Sequence, residues 1–170
     1  MKLDLERLKE IHPVLPAATA AERAHLGALA LQRRHVPGVV AQVRPGTTSH
    51  EATLHWTLRP EADAGQVDPR RMTEDGAEAV ALSLIHAERG WVVVRRLAQG
   101  EHADWLVRET KTRRLVALEV SGTDDGDGTA RMRQKLAQVS QSTAARARAA
   151  CVVGFLEPHA ALEMVPETAR

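Results

Sequence analysis

Residues 104–122 constrain the fold most, because they have the pattern of a β-hairpin. Two runs rich in Val, Leu and Trp, at 103–109 and 114–121, flank a polar connection of four residues, as in a four-residue hairpin loop. A hairpin that is symmetric about this loop places Asp104 directly opposite Glu119. Opposed residues in an antiparallel pair have Cβ atoms about 4.5–5.5 Å apart, and like charges at that distance are destabilising. We therefore expect a compensating group, and a divalent cation is the first candidate.

Length and composition are those of an ordinary globular chain. The 170 residues are enough for one substantial core, or for one core with a smaller appendage. Hydrophobic residues make up 44% and charged residues 26%, which excludes a disordered or fibrous class. The net charge is +1, so no global electrostatic field attracts nucleic acid, and any basic patch must be local.

Cysteine usage and the distribution of apolar residues predict a cytoplasmic protein. Cys151 is the only cysteine, which excludes an internal disulfide framework and a four-cysteine zinc site and fits a reducing compartment. Residues 1–11 alternate charge with leucine and contain no apolar leader segment, and no run of about 18 apolar residues is present. We therefore expect neither a signal peptide nor a membrane span.

Residues 1–70 are predicted to form an N-terminal accessory region of two helices and a β-hairpin. Helical spacing, proline stops and strand alternation indicate a short helix at 3–11, a helix from Thr19 to the stop at Pro37 and Gly38, strands at 39–44 and 52–59, and a linker at 60–69. No pair of the five histidines in this region has the three- or four-residue spacing of a zinc helix, so we expect surface or packing roles for them.

Residues 71–170 carry the stronger signals. Thr73 is a suitable N-cap for a helix that Gly90 ends, and Glu78 on this helix shares a side with apolar residues four and seven positions later. A strand at 91–97 precedes the hairpin. Beyond the hairpin we expect a helix at 130–149, a buried strand at 151–156, and a short helical piece that includes Leu162 and Met164. The predicted order is helix, strand, strand, strand, helix, strand.

This order, with an aspartate on the second strand and a glutamate near the end of the third, resembles the PD-(D/E)XK nuclease superfamily over about residues 72–156. The resemblance implies a restriction-endonuclease-like αβββαβ core, in which helices flank a mixed sheet. It also implies that an acid of the first helix and the two strand acids bind Mg²⁺ or Mn²⁺, which assigns Glu78, Asp104 and Glu119 as metal ligands. Members of the family have a lysine two residues after the third acid, where this chain has Ser121.

Lys135 is the candidate for the missing lysine, because some members of the family carry it on the following helix. We assign it a catalytic role together with Asp104 and Glu119. The candidate substrate-binding residues are Ser121, Arg131, Gln134 and Gln138. Two alternatives stay open, since Lys135 could be a solvated helix charge and Glu74 could replace Glu78 as the helix acid.

Gathered carboxylates suit the hydrolysis of a phosphodiester. A divalent cation neutralises charge that develops on the phosphate and lowers the pKa of the attacking water, and carboxylate oxygens suit Mg²⁺. We therefore predict a metal-dependent nuclease-like protein that acts on DNA or RNA, with homodimerisation as an arrangement that would help duplex cleavage. The serine at 121 supports an alternative, a catalytically inactive module that binds nucleic acid or a protein partner. A regulator that shares only an α/β layer is a third interpretation, without a positive sequence signal.

Overall fold

Helices flank a mixed β-sheet in the computed structural model, which describes residues 1–126 and 128–166. The predicted α/β class is therefore confirmed, while residues 127 and 167–170 of the predicted core lie outside the described residues. In chain order the elements are β1 (Lys2–Asp4), a 3₁₀ turn (Leu5–Arg7), α1 (Leu8–Ile11), α2 (Ala17–Gln32), β2 (Val39–Pro45), β3 (His50–His55), α3 (Glu61–Ala64), α4 (Pro69–Arg89), β4 (Trp91–Arg96), β5 (Trp105–Glu109), β6 (Leu115–Thr123), α5 (Thr129–Val139), β7 (Ala147–Gly154) and β8 (His159–Met164).

Across the described residues, eight strands form a single sheet in the order β1-β3-β2-β8-β7-β6-β5-β4. The pairs β1–β3, β2–β8 and β6–β7 are parallel, and the other neighbours are antiparallel. The hairpin β2–β3 therefore lies in the same sheet as the strands that follow residue 70, and β8 joins the two groups. One apolar cluster also contains residues from both sides of residue 70.

Helices α4 and α5 cover opposite faces of strand β6. On one face, Leu118 and Val120 belong to the apolar cluster that contains the buried residues of α4. On the other face, Ala117 packs in a second cluster with Met132 of α5. Because successive side chains of a strand point to opposite faces, Glu119 lies on the face that α5 covers.

The hairpin formed by β5 and β6 has the predicted register. Trp105 pairs with Leu118, and continuing this register by one residue places Asp104 opposite Glu119. The backbone N–H of Asp104 donates to the Leu118 carbonyl at 3.0 Å. A slip of one residue would have moved one of the two carboxylates to the other face of the sheet. The prediction of a symmetric hairpin is therefore confirmed.

Helix α4 ends where predicted but begins earlier. Gly90 follows its last residue with a left-handed φ of 61°, a conformation that favours glycine. The N-cap is Asp68, whose carboxylate accepts from the Arg71 N–H at 3.0 Å. Pro69 is the first helical residue, a position where its missing N–H leaves no helical bond unmade. The predicted start at Thr73 is therefore wrong by about one turn.

Two predicted helices in the last third of the chain are wrong in extent or type. Helix α5 ends at Val139 instead of near residue 149, and the alanine-rich residues that follow enter the buried strand β7. The predicted helical piece around Leu162 is the strand β8. Its side chains alternate, because Ala160 and Leu162 enter one apolar cluster while Ala161 enters the other. Strand β1 likewise replaces the first turn of the predicted N-terminal helix.

Candidate active site

Lys135 and Glu119 form an ion pair at the centre of the candidate site. Lys135 Nζ lies 2.6 Å from Glu119 Oε1 and donates a second hydrogen bond to Gln138 Oε1 at 3.1 Å. The Glu119 side chain is 3% exposed and that of Lys135 is 17% exposed. Because α5 packs on the face of β6 that Glu119 occupies, the ammonium of Lys135 reaches the hairpin. The catalytic role of Lys135 stays a prediction.

Asp104 supplies the second carboxyl group of the site. Its Oδ2 accepts from the Val120 N–H at 2.8 Å, and it lies directly opposite Glu119 in the register of the hairpin. Burial and the charge of Glu119 raise the pKa of Asp104 to about 6. Burial also raises the pKa of Glu119, against the opposing effect of the bond from Lys135. Two carboxyl groups that resist simultaneous ionisation therefore share one site.

Asp104 and Glu119 have the chemistry to hold a hard divalent cation. A cation between them would relieve the repulsion from Glu119 that helps to raise the pKa of Asp104. Mg²⁺ in proteins is commonly bound by one or two carboxylates together with water and substrate phosphate. Within residues 1–126 and 128–166, no group of three or more His, Cys, Asp or Glu side chains is placed to hold a metal ion. The residues present therefore fit a two-carboxylate site, and Mg²⁺ or Mn²⁺ stays a prediction.

Glu78 is bound by two arginines and does not join this pair. Its side chain is buried, Oε2 accepts from Arg23 Nε at 2.7 Å, and Arg96 Nη1 donates to both carboxylate oxygens at 3.0 and 3.1 Å. Burial raises the pKa of Glu78, and the charges of the two guanidinium groups oppose that rise. Helix α4 carries Glu78 on the face of β6 opposite α5. Its assignment as a third metal ligand stays a prediction that would require a cation to replace these arginine bonds.

Arg23 is the buried partner of Glu78, a role that the sequence does not indicate. It lies on α2, is only 8% exposed, and also donates to Glu22 at 3.1 Å and to Asp75 at 3.4 Å. The available sequence signal was an arginine on the alanine-rich side of a predicted helix. A buried arginine requires an acidic partner, but the sequence does not show that this partner is Glu78.

The four candidate substrate-binding residues lie on the same two elements as the ion pair, α5 and β6. Gln138 contacts Lys135 directly. Ser121 is buried on the face of β6 that Glu119 occupies, two residues further along the strand. Arg131 and Gln134 line a cleft at the N-terminal end of α5, four residues and one residue before Lys135. Their substrate-binding roles stay predictions.

Comparison of the chain with protein-family models, with curated proteins and with solved structures finds no match in any of the three. The resemblance to the PD-(D/E)XK superfamily therefore rests on the residues and on the order of elements. Among the described residues, no helix combines the length and the apolar composition that crossing a membrane requires.

Proposed function

We propose that this chain is a metal-dependent nuclease-like protein of the PD-(D/E)XK superfamily that hydrolyses phosphodiester bonds in DNA or RNA. The observation that carries the proposal is the contact of 2.6 Å between Lys135 Nζ and Glu119 Oε1, beside Asp104 on the neighbouring strand. The helix that follows the third strand of the core thus brings a lysine to the third acid. This lysine compensates for the serine that stands two residues after Glu119.

The order of elements supports a restriction-endonuclease-like core. Helix α4 is followed by β4, β5, β6, α5 and β7, which is the αβββαβ order. Strands β4, β5 and β6 are antiparallel neighbours, and β7 adds a parallel strand next to β6. Asp104 lies directly before β5, and Glu119 is the central residue of β6, so the two acids flank the β5–β6 pairing.

Asp104 and Glu119 are the residues that would hold the cation. When bound, Mg²⁺ or Mn²⁺ supplies charge neutralisation at the phosphate and lowers the pKa of the attacking water. The Val120 N–H fixes Asp104, and the ammonium of Lys135 fixes Glu119. Both carboxylates are therefore oriented before substrate arrives, which reduces the reorganisation needed during the reaction.

Lys135 would stabilise negative charge on the phosphate. An ammonium has three N–H donors, and two of them are used by Glu119 and Gln138. Within residues 1–126 and 128–166 the third donor has no acceptor, which leaves it for a phosphate oxygen or a water molecule. A positively charged donor held next to a reacting phosphate stabilises charge that develops in the transition state.

A catalytically inactive module of the same fold is the second candidate. Two observations favour it: the residue at the usual lysine position is the uncharged Ser121, and Glu78 is bound to two arginines. In this case the bonds among Asp104, Glu119 and Lys135 stabilise the fold, and the surface around them binds nucleic acid or a protein partner without cleavage.

For the first candidate, the active nuclease, a homodimer would place two active sites on one duplex.

Hydrolysis assays with matched variants separate the two candidates. Pure protein is incubated with plasmid DNA, single-stranded DNA and RNA in Mg²⁺ or Mn²⁺, alongside Asp104→Asn, Glu119→Gln and Lys135→Met. We expect cleavage by the wild type and a loss of about 100-fold or more in each variant. The control is Glu163→Gln, which removes a strand glutamate paired with Arg44 at 2.7 Å and separated from β6 by β7.

Cleavage that survives Asp104→Asn or Glu119→Gln would contradict the proposed site. Absence of cleavage with every substrate, together with no uptake of Mg²⁺ or Mn²⁺ in calorimetric titration, would favour the inactive module. Loss of cleavage in the Glu163→Gln control would show that the variants act through the fold and not through the site.

A further inference from the structure

Arg96 ends strand β4 and carries a guanidinium group that is fixed on two sides. Its Nη1 donates to Glu78 Oε1 at 3.1 Å and to Glu78 Oε2 at 3.0 Å. Its Cζ lies 4.9 Å from the centre of the Trp105 ring, within the range of a cation–π contact. Glu78 is itself held by Arg23 at 2.7 Å. These contacts set both the position and the direction of the Arg96 guanidinium.

The same guanidinium keeps donors available and reaches solvent. Both bonds to Glu78 start from Nη1, and within the described part of the chain Nε and Nη2 donate to no acceptor. The Arg96 side chain is 45% exposed, whereas that of Glu78 is 6% exposed. A fixed guanidinium with free donors matches the geometry of a phosphate, which it can bind through two parallel hydrogen bonds.

Arg96 and Lys135 approach the acidic pair from opposite faces of the sheet. Arg96 pairs in register with Trp105, whose face packs against α4, whereas Lys135 belongs to α5. The backbone N–H of Leu97, the residue after Arg96, donates to the Asp104 carbonyl at 2.8 Å, so the end of β4 lies beside Asp104. The two cations therefore lie at the same end of β4 and β5 as Asp104, one on each face of the sheet.

We propose that Arg96 is an anion-binding residue of the candidate site and that its ligand is a phosphate oxygen of a phosphodiester. This inference rests on the proposed function, because it names the group that holds the substrate phosphate beside the acidic pair. Glu78 is then a positioning residue. It directs the guanidinium of Arg96 and does not touch the substrate.

An NMR titration with dimethyl phosphate, a phosphodiester monoanion, tests the inference on the full ¹⁵N-labelled chain in EDTA. The reporters are the Nε–H signal of Arg96 and the indole N–H signal of Trp105, which is buried and has no hydrogen-bond partner among the described residues. We expect saturable shifts of both signals. The internal control is Arg95, whose guanidinium donates to Glu101 at 3.0 and 2.8 Å and whose signal should not move.

Two variants separate anion binding from a structural role. Arg96→Gln leaves Glu78 bound to Arg23, so the fold is expected to persist and the Trp105 shift should be lost. Arg96→Lys keeps the charge without the planar group and should shift Trp105 at several-fold higher dimethyl phosphate. Shifts of Trp105 that are equal in wild type and Arg96→Gln would overturn the inference.

The outcomes distinguish this inference from the proposed function. Saturable shifts at Arg96 without hydrolysis of any nucleic acid would support the anion site and contradict nuclease activity. Hydrolysis that depends on Glu119 without shifts at Arg96 would overturn the anion site and leave the proposed function standing. If neither shifts at Arg96 nor hydrolysis of nucleic acid is observed, both the anion site and the proposed nuclease function are contradicted.

Discussion

Arg23 Nε lies 2.7 Å from Glu78 Oε2, and this buried ion pair joins helix α2 to helix α4. The two side chains are only 10% and 6% exposed. Helix α2 lies within the first 70 residues and α4 begins at Pro69, so the pair connects the N-terminal part of the chain to the helix on the other side of β6 from α5. The two helices also pack through small residues, because a Cβ at Gly27 would lie 3.1 Å from Ala79 Cβ.

Glu78→Gln should lower the free energy of unfolding by about 3 kcal/mol, because removing one partner of a buried ion pair leaves the other charge poorly compensated. Asp75 remains 3.4 Å from Arg23, which keeps the loss at the lower end of the usual range. Urea denaturation of the wild type and of Glu78→Gln measures this loss in the free energy of unfolding. Glu74→Gln is the control, since Glu74 forms an exposed pair with Arg70 one turn earlier. Unchanged stability with lost Mg²⁺ uptake would instead support Glu78 as a ligand.

Asp104→Asn should stabilise the metal-free protein, because it removes the repulsion with Glu119 while an amide oxygen can still accept from Val120. We expect a gain of about 1 kcal/mol, which corresponds to a rise of about 2–4 °C in Tm for a chain of this size. Calorimetry with and without Mg²⁺ measures both effects, since only the wild type should gain stability from the cation. A clear fall in the Tm of Asp104→Asn would contradict the repulsion.

His12 should make the protein less stable in mild acid. Its Nε2–H donates to the Leu82 carbonyl at 3.1 Å, its Nδ1 accepts from the Val93 N–H at 3.3 Å, and burial lowers its pKa to about 4. Because the unfolded chain binds this proton near pH 6.5, stability is full above that pH and is lost as the pH falls towards 4. The loss is about 3 kcal/mol.

Urea denaturation at several pH values between 7 and 4.5 tests the role of His12. His12→Gln should flatten the pH dependence, whereas His50→Gln, which changes a partly exposed histidine paired with Glu88 at 2.9 Å, should not. Equal pH dependence in wild type and His12→Gln would show that other groups control the acid sensitivity.

Gly122→Ala should disrupt the packing of β6 against α4. A Cβ at Gly122 would lie 2.1 Å from the Thr73 carbonyl oxygen, so one of two backbones must move. We expect the free energy of unfolding to fall by about 3 kcal/mol, the upper end of the usual range for overpacking. Gly65→Ala is the control, because its Cβ would meet Ala62 O at an ordinary 3.6 Å. Circular dichroism melts compare the two, and equal Tm values would contradict the close approach.

Local signals in the sequence were sufficient for the elements around the hairpin. The turn and the alternation of apolar residues defined the register that places Asp104 opposite Glu119, and Gly90 marked the end of α4. These features depend on a few neighbouring residues. They therefore do not require knowledge of which distant segment packs against them.

The alanine-rich segments were misassigned because their conformation is set by burial. Alanine has the highest helix propensity and is depleted in strands, so residues 144–149 and 160–161 read as helical. In the structure, β6 and β8 pair with the two edges of β7, and its small side chains pack in apolar clusters on both faces, where Ala149 and Ala150 are fully buried. Tertiary packing overrides local propensity here.

The contacts in and around the candidate site likewise divide into local ones, which the sequence predicts, and long-range ones, which it does not. The opposition of Asp104 and Glu119 follows from one hairpin and could be predicted. The bond between Arg23 and Glu78 joins residues 55 positions apart, on helices whose relative placement no local pattern specifies. For this reason the sequence indicated that Glu78 borders the inward side of its helix but did not identify its partner.

Strand β8 also has a consequence for the order in which the chain can fold. Gln42 of β2 pairs with His159 of β8, more than one hundred positions later in the sequence. Until β8 is synthesised and docks, β2 and β7 each present an open edge of unpaired backbone groups, which are templates for pairing with other chains. Pairing between strands that are so far apart in the sequence is slow. The nascent protein therefore passes through a stage in which protection of two strand edges, and not stability of the finished fold, decides whether it folds or aggregates.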